Sequence, residues 1–226
     1  MEYKVFIVNK HLLLENGQGL LLVDTGSPTS LHRDGYIDIA GARHDNVPQS
    51  CIGVSTQYLT EKVGVEVAGL LGMDIMIGYQ VRIDLPNGAI SFEKLDNVLP
   101  QCRQVERFNM MGIPGIVATV KGRTARLLFD IGAPVSYMGN GFLAGTPVVD
   151  TVEDFSPLTG GGSYSVDLHM LNTELAGEEF EVAYGGMPPT IAMLLNAYGV
   201  DGIIGYDLME RYCVVIDAGD FRFPVQ

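Results

Sequence analysis

Tryptophan is absent from the 226 residues, and cysteine is nearly so. The three cysteines, Cys51, Cys102 and Cys213, are scattered and form no Cys-x-x-Cys pair. A disulfide framework is thereby excluded, and free thiols in a reducing, cytoplasmic setting are expected. The four histidines, His11, His32, His44 and His169, lack the spacing of a metal site, so no metal is implied and they read as surface or turn residues. Basic residues are scarce: 14 Lys and Arg stand against 27 Asp and Glu, a net charge of −13. With no basic patch, nucleic acid and anionic membranes are poor partners. Long apolar runs are missing too. Stretches such as 20–23 are far too short to cross a bilayer. The opening residues, with Glu2 and only a brief apolar run, do not read as a signal peptide.

Short apolar runs and glycine are plentiful. Apolar residues make up 47% and glycines number 28. Many brief Val, Ile and Leu runs between glycines point to β-structure with tight turns. The length allows one or two domains, and the composition is apolar enough to bury a core.

The chain repeats itself. Gly69-Leu70-Leu71-Gly72-Met73-Asp74 is matched by Gly202-Ile203-Ile204-Gly205-Tyr206-Asp207. Downstream, Tyr79-x-Val81-x-Ile83-Asp84 is matched by Tyr212-x-Val214-x-Ile216-Asp217. Upstream, Asp24-Thr25-Gly26-Ser27-Pro28-Thr29-Ser30 is matched by Asp130-Ile131-Gly132-Ala133-Pro134-Val135-Ser136. Before each Asp lies a hairpin pattern, turning at 15–19 in the first copy and 121–123 in the second. Each copy therefore predicts strand, turn, strand, Asp-x-Gly loop, variable middle, apolar-apolar-Gly, short helix and strand. The helical pieces are expected over 73–77 and 206–211. A polar segment, 94–112, reads as a linker. The boundary falls near residue 105, giving halves 1–105 and 106–226.

An apolar strand entering Asp24-Thr25-Gly26-Ser27, followed by Leu70-Leu71-Gly72, resembles one lobe of an aspartic protease. Asp130-Ile131-Gly132-Ala133 with Ile203-Ile204-Gly205 resembles the other. The resemblance implies an all-β, two-lobed acid-protease fold from an internal duplication, with pepsin-like architecture and retropepsin-sized lobes. It further implies an endopeptidase acting on extended polypeptides through a water held by Asp24 and Asp130. Peptide or protein would be the substrate, no cofactor is needed, and one chain suffices for the pair. Leu71, Gly72, Ile204 and Gly205 would support the loops from beneath. Thr25, Gly26, Ser27, Ile131, Gly132 and Ala133 would shape the loops.

The chemistry follows from elementary electrostatics. Two carboxylates about 3 Å apart cannot both ionise, so they share a proton. The ionised member takes a proton from water while the protonated member donates to the substrate carbonyl. Gly26 and Gly132 are expected to give the loops backbone conformations closed to other residues. A glycine-rich flap is expected at Thr159-Gly160-Gly161-Gly162-Ser163-Tyr164 in the second half, with 46–53 as a weaker counterpart in the first.

Two positions depart from the family pattern. Ile131 stands where a threonine would bond across to the partner loop, so half of a reciprocal network is missing. Ala133 lacks the hydroxyl that Ser27 carries, and losing a bond to the charged form would raise the pair's pKa. Activity nearer neutral pH than in pepsin is the consequence expected. Ile131 also favours an alternative, a peptide-binding module on the same fold with impaired catalysis. A plain structural duplicate is the third reading. In it Asp74, Asp84, Asp207 and Asp217 serve as helix caps or turn residues.

Overall fold

The computed structural model describes residues 1–95, 102–103, 105–159, 162–217 and 220–224. Among these the chain is mostly β-strand, gathered into a ten-stranded sheet, an eight-stranded sheet and two short hairpins. No helix of the described residues is long and apolar enough to cross a membrane.

One construction appears twice. In the first half, strand His11–Glu15 runs back antiparallel to Leu20–Val23, which then pairs in parallel with Gly69–Leu71. In the second, Ile113–Val120 runs antiparallel to Arg123–Phe129, which pairs in parallel with Gly202–Ile204. The turn at Lys121 and Gly122 has φ of 49° and 71°, the two left-handed positions that a twist-matched two-residue hairpin requires. The registers agree as well: Val23 faces Leu71, and Phe129 faces Ile204. Each Asp is the next residue after its strand.

The strands sit between two apolar layers, which is why they read as unbroken apolar runs rather than alternating ones. Leu21, Val23, Leu127 and Phe129 point into a core shared by both halves. Leu22 and Leu128 point the other way, into separate satellite clusters. The sheets do not follow the halves of the sequence strictly. Val214–Asp217 pairs with Gln80–Asp84, and Asp220–Pro224 pairs in turn with Val214–Asp217, so both join the first half's sheet.

Several local expectations change. Part of 94–112 is strand: Arg107–Met110 pairs with Ile113–Val120. The short helices end earlier than expected, at Met76 and Met209. The variable middles hold longer helices, Thr56–Val63 and Pro189–Ala197. Ser55 caps the first by accepting from the Tyr58 N–H at 3.2 Å, and Gly64 ends it at φ 87°. His11 and His32, read as surface residues, are 3% and 0% exposed. Both lie on strands whose two faces are covered by later segments.

Gly72 and Gly205 lie where backbone crosses backbone. A Cβ on Gly72 would come within 2.8 Å of the Ser27 carbonyl oxygen, and one on Gly205 would collide with the carbonyl of Ala133. Gly205→Ala should therefore cost about 1–3 kcal/mol of stability. Gly141→Ala, where nothing lies within 4 Å, should be close to neutral. Urea denaturation of the two variants checks the contrast, and equal midpoints would refute it.

Candidate active site

Each Asp enters its loop from a strand that its parallel neighbour holds in place. The Asp24 N–H donates to the Leu71 carbonyl at 3.0 Å, and the Asp130 N–H donates to that of Ile204 at 3.0 Å. The loops then curl around the carboxylates. Asp24 Oδ1 accepts from the N–H groups of Gly26 at 2.8 Å and Ser27 at 3.1 Å. Asp130 Oδ1 accepts from the Gly132 N–H at 3.0 Å.

The glycines bring the two loops face to face. A Cβ on Gly26 would collide with the Asp130 carboxylate, and one on Gly132 would collide with that of Asp24. Neither glycine has a positive φ. Their role is thus space for the opposite carboxylate, not the conformational freedom expected from sequence.

A single threonine joins the loops. Thr25 is fully buried; its Oγ1 donates to the Phe129 carbonyl at 2.7 Å and accepts from the Ile131 N–H at 3.0 Å. Ile131, 1% exposed, offers no hydroxyl in return and packs into the shared core instead.

The expected effect of Ala133 does not hold in the form anticipated. Its counterpart Ser27 donates from Oγ to the Thr29 carbonyl at 2.8 Å, so the hydroxyl absent from the second loop is not a ligand of the carboxylate. The repeated serines and aspartates, by contrast, have a role that sequence reasoning missed. Ser30 Oγ donates to Asp74 Oδ1 at 2.5 Å and accepts from the Gly72 N–H at 2.9 Å. Ser136 Oγ donates to Asp207 Oδ2 at 2.8 Å and accepts from the Gly205 N–H at 3.1 Å. Asp74 and Asp207 therefore tie the strand under each loop to the chain leaving it, rather than serving as plain helix caps. Their identical spacing in both copies was the available signal. Asp84 does take a turn role, accepting from Asn87 at 3.4 Å.

The expected flap segment of the second half falls between and on the paired strands Asp150–Phe155 and Ser163–Leu175; its described residues are Thr159, Gly162, Ser163 and Tyr164. Thr159 closes a 3-10 turn, Gly162 has open space around it, and Ser163 and Tyr164 belong to the returning strand. Gly160 and Gly161 lie outside the described residues. The first half's counterpart is two paired dipeptides, Ser50–Cys51 and Val54–Ser55. The long hairpin is anchored below by Asp154, 5% exposed, which accepts from the Tyr137 hydroxyl. Past the end of the second loop lies a cavity of about 510 Å³ lined by neither Asp24 nor Asp130; its lining includes Lys10, His11, Lys62, Val135 and Phe155 and the acids Glu61, Glu153, Asp154 and Asp207. Among the described residues no three His, Cys, Asp or Glu side chains converge as a metal group.

Burial pushes the Asp24 carboxyl well above the ordinary carboxylate range, and the charge of Asp130 and a hydrogen bond with it act the same way. Burial raises Asp130 too, opposed by hydrogen bonds from Asp24 and from the N–H groups of Gly132, Ala133 and Gly26. The proton belongs to the pair as a unit. Such a pair can hold a water, deprotonate it and protonate an opposing oxygen.

No family model matches the chain, and no curated protein matches it. Among solved structures it is similar to the protease of Simian Foamy Virus (mac), determined in solution. The TM-score is 0.31 and the identity 16%, covering 41% of this chain and 88% of that one.

The raised carboxyl values fix the sign of a pH effect. Above the ordinary carboxylate range the unfolded chain has released protons that the folded pair still holds. Stability therefore falls as pH rises through that window, by at most about 1.4 kcal/mol per pH unit per proton, and is restored in acid. Asp24→Asn should unfold at higher urea than the parent near pH 7, with the gap closing towards about pH 3. A gap that does not change with pH would contradict this.

Proposed function

We propose that the chain is an aspartic endopeptidase that hydrolyses peptide bonds of extended polypeptides. The observation that carries the reading is the mutual clearance of the two loops, each glycine leaving room for the opposite half's carboxylate. In this reading residues 1–105 and 106–226 are two lobes of one duplicated acid-protease fold. The pair is completed within one chain, so a monomer suffices. Asp24 and Asp130 share one proton and hold a water between them. The ionised carboxylate accepts a proton from that water as it attacks the scissile carbonyl. The protonated carboxyl donates to the carbonyl oxygen, giving a neutral gem-diol without a covalent enzyme intermediate. Collapse of the diol returns a proton to the departing amine. The hairpin built on Asp150–Phe155 and Ser163–Leu175 serves as the flap, excluding water from the bound peptide.

One observation favours a second reading. The side-chain tie between the loops comes from Thr25 alone, because Ile131 contributes only its backbone N–H and has no hydroxyl to reach the first loop. A catalytic pair is sensitive to shifts of about 1 Å, so this chain could instead bind peptides on the same fold with little turnover.

Cleavage of a denatured protein separates the readings. Asp24→Asn and Asp130→Asn should each lower the rate by at least about 10²–10⁴-fold. Both should still bind a peptide whose scissile bond is replaced by a hydroxyl-bearing isostere. The parent's rate should follow a bell-shaped pH profile, since only the singly protonated pair is competent. Both limbs should lie above the ordinary carboxylate range, because burial raises both groups. Cleavage that persists in both variants rejects the dyad. Binding by a parent that cleaves nothing favours the module.

A further inference from the structure

The outgoing strand of the long hairpin, Asp150–Phe155, ends in a side chain that reaches the other half of the chain. The Phe155 ring stacks on His11 with centroids 5.9 Å apart and planes 21° apart. Tyr58 meets the same ring edge-on, at 6.0 Å and 76°. Lys62 Nζ lies 5.3 Å from the Phe155 centroid and 5.8 Å from that of Tyr58, within the range of a cation–π contact. It also donates to the Ser163 hydroxyl at 3.3 Å, and Ser163 is the cross-strand partner of Phe155. A strand and a helix of the first half thus supply three side chains that grip one ring of the second.

The occupant does not satisfy the grip. The buried Tyr58 hydroxyl has no hydrogen-bond partner, and the ring of the buried His11 has only the backbone of Val8 and Asn9 beside it, short of good hydrogen-bond geometry. Burial holds His11 below its ordinary range, so it stacks as a neutral ring beside the Lys62 ammonium. Phe155 itself is only half-buried. It stands at the wall of the cavity that also reaches Pro134 and Val135, the residues leaving the Asp130 loop.

We propose that His11, Tyr58 and Lys62 form an aromatic-binding subsite, which Phe155 fills in the free protein and which an aromatic side chain of a bound peptide takes over as the hairpin shifts. The inference rests on the proposed function, with this cavity as a part of the peptide cleft away from the two aspartates. Stacking and cation–π attraction both require a π-face, so an aliphatic side chain of equal volume gains only burial.

Because the chain lacks tryptophan, Phe155→Trp supplies a single emission probe of the grip. The probe is placed in Asp24→Asn, so that cleavage does not enter the readout. The ligands are alanine-flanked heptapeptides with a central Phe or Leu. The Phe peptide should shift the emission to the red at concentrations where the Leu peptide leaves it unchanged. Without a tryptophan, Asp24→Asn/Phe155→Leu should bind the Phe peptide about 3–10-fold more tightly than Asp24→Asn. Adding Tyr58→Leu should erase the preference for Phe over Leu. Equal binding of the two peptides with unmoved emission would overturn the proposal and leave Phe155 a fixed packing contact. A Phe preference in a parent that cleaves nothing would sink the protease reading and keep this one. Cleavage that depends on both aspartates but shows no aromatic preference would do the reverse.

Discussion

Two like charges brought together inside a protein repel each other, and the molecule around Asp24 and Asp130 is arranged to withstand that. Each carboxylate is held from its own loop by backbone N–H groups, and each loop is held from below by a parallel strand. The opposite loop comes close because a glycine leaves it room. The remaining repulsion is relieved by a retained proton, at the expense of stability when pH rises. The arrangement lowers robustness, and the strands beneath it supply the rigidity that makes this tolerable.

The duplication gives near-symmetry, and the departures from it are informative. Thr25 binds across the loops, whereas Ile131 packs into the core. The second half carries a long hairpin, while the first has two short ones, Tyr36–Ile39 with Ala42–Asp45 and Ser50–Cys51 with Val54–Ser55. Both departures assign a distinct task to each half. The first half provides the polar tie and the aromatic grip. The second provides the hairpin and the greasy side of the seam.

Much of this was legible in the residues. The repeated spacing of Asp, Gly, Pro and Ser pointed to both loops, because a backbone geometry that needs those residues in one copy needs them in the other. Other features escaped for physical reasons. His11 read as a surface residue because the ring that covers it, Phe155, lies 144 positions later in the sequence. Asp74 and Asp207 read as caps because their serine partners sit across a loop closed only in three dimensions. The role of Gly26 and Gly132 was misassigned for the same reason. Their special property is a neighbour from the other half, which no local rule can supply.

The pairing of Val214–Asp217 with Gln80–Asp84 has a consequence for biosynthesis. During translation the first 105 residues leave the ribosome with the Gln80–Asp84 edge still open. That edge can be covered natively only once residues 214–217 have emerged. Until then it presents unpaired amides to any passing strand, so the nascent chain is exposed to mispairing for more than half of its synthesis. The pairing is long-range in sequence, the kind of contact that forms slowly, and it joins a strand of the second half to the sheet of the first.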